Sequence, residues 1–307
     1  GHSHPSLISA LKEQADKIWH CSNLFKISGQ YTVAEKIVNN SFASNVFFCN
    51  SGAEAIESGI KVVRKYFSEK KSKRYKIICA HNSFHGRTIA AISASGQSKL
   101  VSGFYPVLQG FKQVEFNNIE KIKKNIDDET AAILIETIQG EGGVTPATKE
   151  YLCDLQKIVK DNDLLFFLDE VQCGMGRTGK LFAYEWVERL NPNIVSVAKG
   201  IGGGFPIGAL LLDKKTSAVM GPGTHGSTFG GNPLAMAVAN VVLDNVLKKD
   251  FLHNVIEVGD YLTELLQKEV IAKFPKLIKG IRGKGLMLGL EAEKENEVLI
   301  NAMIKEK

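Results

Sequence analysis

A chain of 307 residues corresponds to about two domains at roughly 150 residues each, and its 44 % hydrophobic, 23 % charged and 8 % aromatic content excludes intrinsic disorder and fibrous repeats. The net charge of +5, from 38 Lys and Arg against 33 Asp and Glu, suits a small anionic ligand and falls short of a nucleic-acid-binding surface. No apolar run reaches the eighteen or so residues of a membrane span, so neither nucleic acid nor membrane is an expected partner.

In chain order, helical periodicity predicts Ser6–Trp19 and Thr32–Asn39, followed by a strand at Val46–Cys49 and a helix at Ala53–Phe67. Strands are expected at Lys76–Ala80 and Gln113–Phe116, a helix at Asn118–Asn125, a strand at Ala131–Glu136 and a helix at Lys149–Asp161. Three further strands, Leu164–Leu168, Asn193–Val197 and Gly208–Leu212, precede helices at Pro233–Val246 and Leu252–Phe274. A β-ribbon at Lys279–Leu290, broken by Gly283 and Gly285, follows. Alternation of short β-branched or aromatic runs with helical segments specifies an α/β chain with a mainly parallel seven-stranded sheet. The change of character near residue 247 divides it into a large domain, 1–247, and a small α+β domain, 248–307, that is partial.

The cysteines, Cys21, Cys49, Cys79, Cys153 and Cys173, are odd in number and lack any C-x-x-C pair. Neither a disulfide framework nor a zinc site is expected, and a reducing cytoplasm is. No His forms an H-E-x-x-H pair, so no metal is expected. The chain opens on Gly-His-Ser-His-Pro, with no initiator Met, charged n-region or apolar h-region, which predicts a piece of a longer chain without a signal peptide. The basic run Lys70–Arg74, without interleaved aromatics, reads as a solvated loop.

Reactive residue types concentrate just after the predicted strands, where open α/β sheets bind ligands. Ser51, Gly52 and Ala53 open a helix, and their free N–H groups with the helix dipole form a seat for phosphate, although a plain capped helix explains them too. Phe84 is able to stack on a flat ring and Arg87 to grip a carboxylate through two parallel bonds; a buried Phe and a surface Arg are the bland alternative. Asp169 ends a strand that is apolar throughout and needs a cationic partner there, whether a protonated ring nitrogen, a salt bridge or a metal. Lys199, placed between a buried strand and the Gly200–Gly204 loop, suggests an amine activated by desolvation for Schiff-base chemistry, against a surface lysine. His225–Pro233 offers hydroxyls and backbone donors before a helix, a second phosphate contact or only a turn. Gly174–Lys180 satisfies G-x-x-x-x-G-K, but Leu181 stands where a nucleotide-binding loop needs Ser or Thr.

Together the runs NSGAEA, SFHGRT, ETIQGEGG, LDEVQCGMGRTG, VAKGIGGGFPIGA and HGSTFGGNP, in this order and with HCSNLF ahead of them, resemble the class III pyridoxal-phosphate aminotransferases from Gly1 to about Leu290. That resemblance implies an aspartate-aminotransferase-like (fold type I) large domain, pyridoxal 5′-phosphate as cofactor and a homodimer with shared active sites. It implies transfer of the terminal amino group of N2-acetylornithine to 2-oxoglutarate, within arginine biosynthesis. Succinyldiaminopimelate, ornithine and 4-aminobutyrate are alternative donors, and an inactive cofactor-binding fragment is an alternative state. By the same resemblance Lys199 carries the cofactor and shuttles the proton, Asp169 pairs with the ring nitrogen, Val171 and Phe84 sandwich the ring, and Gln172 lies near the ring hydroxyl. Ser51, Gly52 and Ala53 bind the phosphate, and Thr228 reaches the phosphate of the partner subunit. Arg87 and Ser227 hold substrate, while Glu141 matches the family's gating glutamate and Glu136 its nearby strand-end acid. The family's arginine for the keto acid's carboxylate lies beyond the end of this sequence and Arg282 does not match it; Thr137 stands where Pro is common.

Overall fold

The computed structural model describes residues 1–293 and 296–306. Helices α1 (Pro5–Ala15) and α2 (Ser28–Val38) precede strand β1 (Asn45–Cys49) and helix α3 (Gly52–Glu69). Next come β2 (Lys76–Ala80), α4 (Ile89–Ala94), α5 (Ser98–Val101), β3 (Phe111–Val114), α6 (Ile119–Lys124) and β4 (Thr130–Glu136). A short hairpin, β5 (Ile138–Gln139) and β6 (Thr145–Pro146), leads to α7 (Lys149–Asp161), β7 (Leu165–Asp169), β8 (Ile194–Val197), β9 (Gly208–Leu212) and α8 (Lys214–Ser217). Helices α9 (Pro233–Val246) and α10 (Lys249–Leu265) are followed by the ribbon β10 (Ile278–Lys284) and β11 (Met287–Ala292), then α11 (Asn296–Lys305).

All seven strands expected for the main sheet join it, in the order β1-β9-β8-β7-β4-β2-β3. Six of the seven run in one direction; β9 alone is reversed, antiparallel to both β8 and β1. The C-terminal ends of β1, β2, β4, β7 and β8 therefore open on one edge, where β9 also begins.

Alternation within each strand divides the core. Ile78, Ile133, Phe166, Leu168 and Val195 face Tyr151 and Leu155 of α7 and Ala239 and Leu243 of α9. Ile77, Leu134, Leu165, Phe167 and Ile194 face Ile56, Ile60, Val63 and Phe67 of α3. Apolar residues on both faces of a strand demand helical cover on both sides, which gives a three-layer sandwich. Each fully buried Leu, Ile or Phe contributes about 1.5–3 kcal/mol. Close contact between layers is secured at Gly59 of α3, where a Cβ would lie 2.3 Å from Phe167 Cζ.

The C-terminal part departs from expectation. The helix expected at Leu252–Phe274 is α10 followed by a π-helical turn, Leu266–Ile271. A change from i→i+4 to i→i+5 bonding barely alters the apolar spacing, so periodicity reads the two as one helix. The ribbon forms as expected, with Arg282 opposite Gly289 and Gly283 opposite Leu288. No helix among the described residues is long and apolar enough to cross a membrane.

The Gly174–Lys180 loop receives this C-terminal part. Gly176 lies against Val246 and Leu252, Gly179 against Ile256, and Thr178 against Gly285 at the turn of the ribbon. The backbone N–H of Leu286 donates to Arg177 O at 3.1 Å. These glycines are spent on packing α10 and the ribbon, which accounts for the motif without a nucleotide.

Candidate active site

At the shared strand edge lies a cavity of about 310 Å³. Asn50, Ser51, Gly52 and Ala53 form one side of it, Phe84, His85 and Gly86 another, and Asp169, Val171, Ala198 and Lys199 the remainder, closed by Gly204–Ile207 ahead of β9. Four loops that the chain spreads over more than 150 positions thus converge because the strands they follow, β1, β2, β7 and β8, point the same way in one sheet.

Asp169, 3 % exposed, terminates β7. Its Oδ2 accepts from His85 Nδ1 at 2.8 Å, and its Oδ1 accepts from Ser196 Oγ at 3.1 Å and from the Val171 N–H at 3.0 Å. Three donors on one buried carboxylate fix its plane. Within the chain the Oδ2 partner is the ring of His85, whose Nε2 is buried without a hydrogen-bond partner.

Glu136 ends β4 directly across from Asp169 in the parallel register. It accepts from the Phe84 N–H at 3.0 Å and the Gly140 N–H at 3.3 Å. Burial pushes its carboxyl up to about 7; His85 opposes the rise and Asp169 adds to it. It therefore ties the Phe84 loop and the Gln139–Glu141 loop to the sheet.

Glu170 is fully buried, and burial pushes it up to about 7, against the donors Thr137, Ala183, Tyr184 and Cys173. Thr137 Oγ1 donates to it at 2.6 Å, and the Ala183 and Tyr184 N–H groups at 2.7 and 3.0 Å. The departure at Thr137 is thus a hydroxyl holding the acid next to Asp169. Thr137→Val is expected to lower stability by about 1–3 kcal/mol in urea unfolding, since a buried charged acceptor loses a donor without loss of shape; an unchanged midpoint would reject this role.

Lys199 begins a 3₁₀ turn after β8 with φ +40°, in the left-handed region that costs a non-glycine residue about 1–2 kcal/mol. Backbone strain of this kind persists where surrounding structure over-determines it. The expectation of a desolvated amine is corrected: Lys199 is exposed at the open mouth of the cavity. Lys199→Gly should raise the thermal midpoint relative to Lys199→Ala, because glycine adopts φ > 0 without penalty; equal midpoints would show the strain to be absent.

Ser51 caps α3 by accepting from the Glu54 N–H at 3.2 Å. A Cβ on Gly52 would lie 2.8 Å from Val171 Cγ1, so only glycine leaves the first turn open to a ligand. Free N–H groups at this helix start, with its dipole, attract phosphate. Phe84 and Val171 supply apolar walls, Asp169 a buried acceptor and Lys199 an amine. Beside this wall, Gln172 Nε2 is buried and unpartnered against Gly140. This donor set and glycine cradle fit a phosphorylated, flat, aldehyde-bearing pyridine.

Other expected residues stand outside the cavity lining. Arg87 is exposed, its guanidinium 5.6 Å from the Phe84 ring centroid. Ser227 is half-buried, its Oγ accepting from Asn50 Nδ2 at 3.0 Å, while Thr228 and Glu141 are exposed. His85, Ser196 and Asn50 are the residues sequence reasoning missed. A histidine inside SFHGRT and a serine inside the otherwise apolar Ile194–Val197 strand were the available signals.

A three-layer α/β/α fold with a strand-end lysine and aspartate facing a helix-capped anion seat defines a fold type I pyridoxal-phosphate enzyme. The sequence matches the Aminotransferase class-III family over residues 1–306, and the chain belongs to that family. It is an aminotransferase with pyridoxal 5′-phosphate as cofactor. It is 53 % identical over 308 aligned residues to the acetylornithine aminotransferase of Caldanaerobacter subterraneus subsp. tengcongensis, covering 99 % of this chain and 77 % of that protein. Against the acetylornithine aminotransferase of Aquifex aeolicus the identity is 47 %, covering 96 % and 76 %. Among solved structures, N-acetylornithine aminotransferase from Stenotrophomonas maltophilia superposes with a TM-score of 0.82 at 37 % identity, covering 99 % of this chain and 75 % of that one. Ornithine aminotransferase from Toxoplasma gondii gives 0.90 at 34 %, covering 95 % and 70 %.

Proposed function

We propose that the enzyme transfers the terminal amino group of N2-acetylornithine to 2-oxoglutarate, yielding N-acetylglutamate 5-semialdehyde and glutamate, in arginine biosynthesis. The 53 % identity to an acetylornithine aminotransferase across 99 % of the chain carries this reading. The higher TM-score of the ornithine aminotransferase supports ornithine as the second donor to assay.

Bound pyridoxal phosphate supplies an electron sink that stabilises negative charge developing on the donor carbon. Ser51, Gly52 and Ala53 hold the phosphate at the start of α3, and Thr228 holds that of the partner subunit. Phe84 and Val171 pack the ring faces, and Gln172 lies by the ring hydroxyl. Asp169, oriented by His85 and Ser196, holds a proton on the ring nitrogen. Lys199 Nζ would hold the cofactor, and its amine at the cavity mouth would take the proton from the carbon bearing the donor amine and return it. Arg87 and Ser227 bind the donor carboxylate, Glu141 gates exchange between donor and keto acid, and Glu136 braces both loops. Residues 1–247 form the large domain of this assignment and 248–307 the small one.

The chain works as a cytoplasmic homodimer in this reading. The exposed Leu24, Phe25 and Phe229, at 92 %, 69 % and 57 %, lie on segments flanking the site, where a second copy would cover them. Five free cysteines accord with a reducing compartment.

Arg87→Lys should raise KM for N2-acetylornithine about ten- to a hundredfold, because charge is kept but the two parallel donors of the guanidinium are lost. The visible spectrum of bound cofactor should be unchanged. Steady-state kinetics decide it, and an unaltered KM would remove Arg87 from the substrate site.

A further inference from the structure

The loop from Gly221 to Thr228, which presents Ser227 and Thr228, has little packing of its own, whereas Gly230 and Gly231 beyond it are packed against Phe48 and Gln30. Added Cβ atoms at Gly221, Gly223 and Gly226 would meet nothing within 4 Å, and Thr228 and Phe229 are exposed. Asn23 Nδ2 donates to Ser227 O at 2.8 Å and Gln30 Nε2 to Gly231 O at 3.0 Å, and the remaining polar contacts run from Asn50 to Ser227 and from α3 to Thr224 and His225.

The His225 ring, half-buried, lies 5.1 Å from the Phe47 ring of β1 at 39°. Its Nε2 is 2.8 Å from Ser58 Oγ, and its Nδ1 is 2.9 Å from Lys61 Nζ. Both partners demand the same tautomer. The Ser58 hydroxyl proton is spent on Glu54 O at 2.7 Å, so Ser58 Oγ accepts and His225 Nε2 carries hydrogen. The Lys61 ammonium has only donors, so Nδ1 presents a lone pair. Lys61 also donates to Thr224 O at 3.2 Å. One turn earlier on the same helix face, Glu54 Oε2 accepts from the Asn50 N–H and Nδ2, both at 2.9 Å, and Asn50 Nδ2 reaches Ser227 Oγ.

We infer that His225 is a positioning residue: as the neutral Nε2–H tautomer it fastens the Thr224–Gly226 segment to α3 through Ser58 and Lys61 and so, together with the Asn23 and Asn50 contacts to Ser227, sets the place of Ser227 and Thr228. This rests on the roles proposed above for those two residues. It also makes the latch sensitive to acid. A second proton, on Nδ1, would point at an ammonium group and break the Lys61 bond. Burial holds the imidazole below the usual histidine range and Lys61 pushes the same way, while Glu54 and Glu57 oppose. Those three residues of α3 are the charged groups acting on it; β1 and β9 contribute Phe47, Leu210 and Leu212 beside it. With the folded pKa depressed, the latch's contribution is complete above the free-histidine value of about 6.5 and is lost as pH falls through the folded pKa.

The test uses the full chain, with and without pyridoxal phosphate. Nitrogen-15 resonances of His225 should show hydrogen on Nε2 only, titrating below free histidine, and Lys61→Met should move that midpoint upward. Hydrogen on Nδ1 at neutral pH, or an unmoved midpoint, would overturn the proposal, and this measurement needs no variant of His225. His225→Phe keeps the ring against Phe47 and removes both hydrogen bonds. Amide protection of residues 224–226 in the cofactor-free chain should then fall roughly tenfold. Cofactor Kd and donor KM should rise by a similar factor, while kcat at saturation stays within about twofold. Unchanged protection would overturn the latch. Lost protection with unaltered Kd and KM would uphold it and reject instead the roles given to Ser227 and Thr228.

Discussion

Lys199→Ala is expected to abolish turnover, by at least about 10⁴-fold in kcat, while leaving the thermal midpoint almost unchanged. Proton transfer at the donor carbon needs a base at the cavity mouth, and Lys199 is the lysine among the residues lining that cavity. Its side chain is exposed, so truncation removes little packing. Alanine has the same difficulty as lysine at φ +40°, so backbone strain is also unaltered. Steady-state assays with thermal melts check both parts. Residual turnover near wild type, or cofactor that borohydride still fixes to another lysine, would show that the base lies elsewhere.

Asp169→Asn should cost on the order of 10²–10⁴-fold in kcat, with a much smaller effect on cofactor affinity. A neutral amide holds no proton on the ring nitrogen, so negative charge on the donor carbon has no sink. The phosphate seat at α3 and the Phe84 and Val171 walls are untouched. The amide oxygen keeps the Ser196 and Val171 donors, and His85 stays at its position by presenting an Nδ1 lone pair to the amide N–H. Rapid mixing with donor separates the half-reaction from cofactor binding. Near-normal half-reaction rates on a loaded variant would reject the role of Asp169.

The main sheet was legible because its strands carry unmixed apolar runs: Leu164–Leu168 and Ala131–Ile135 admit no reading except burial on both faces. The short elements were not. Helices α4 and α5 are too short for a period, and β5 with β6 pairs only two residues on each side. The π-helical turn after α10 hides within the apolar spacing of a longer helix. For the site, strand-end position singled out Asp169 and Lys199, and local composition singled out Ser51–Ala53 and Phe84. What remained hidden was who partners whom. The His85–Asp169 and Ser196–Asp169 bonds join residues 84 and 27 positions apart, and only the adjacency of β2, β4, β7 and β8 brings them together. Lys199 shows the opposite limit. Its position was readable, but its exposure depends on Gly204–Ile207 and the mouth they leave open.

The central claim, a pyridoxal-phosphate aminotransferase acting on N2-acetylornithine, is tested most directly by the visible spectrum of the loaded protein. Pyridoxal phosphate is added to the full chain, then N2-acetylornithine without keto acid, then 2-oxoglutarate. The predicted result is a cofactor band that bleaches with the donor and returns with the keto acid as glutamate appears. A band that forms but is indifferent to N2-acetylornithine while responding to ornithine would contradict the substrate, and no band at all would contradict the site.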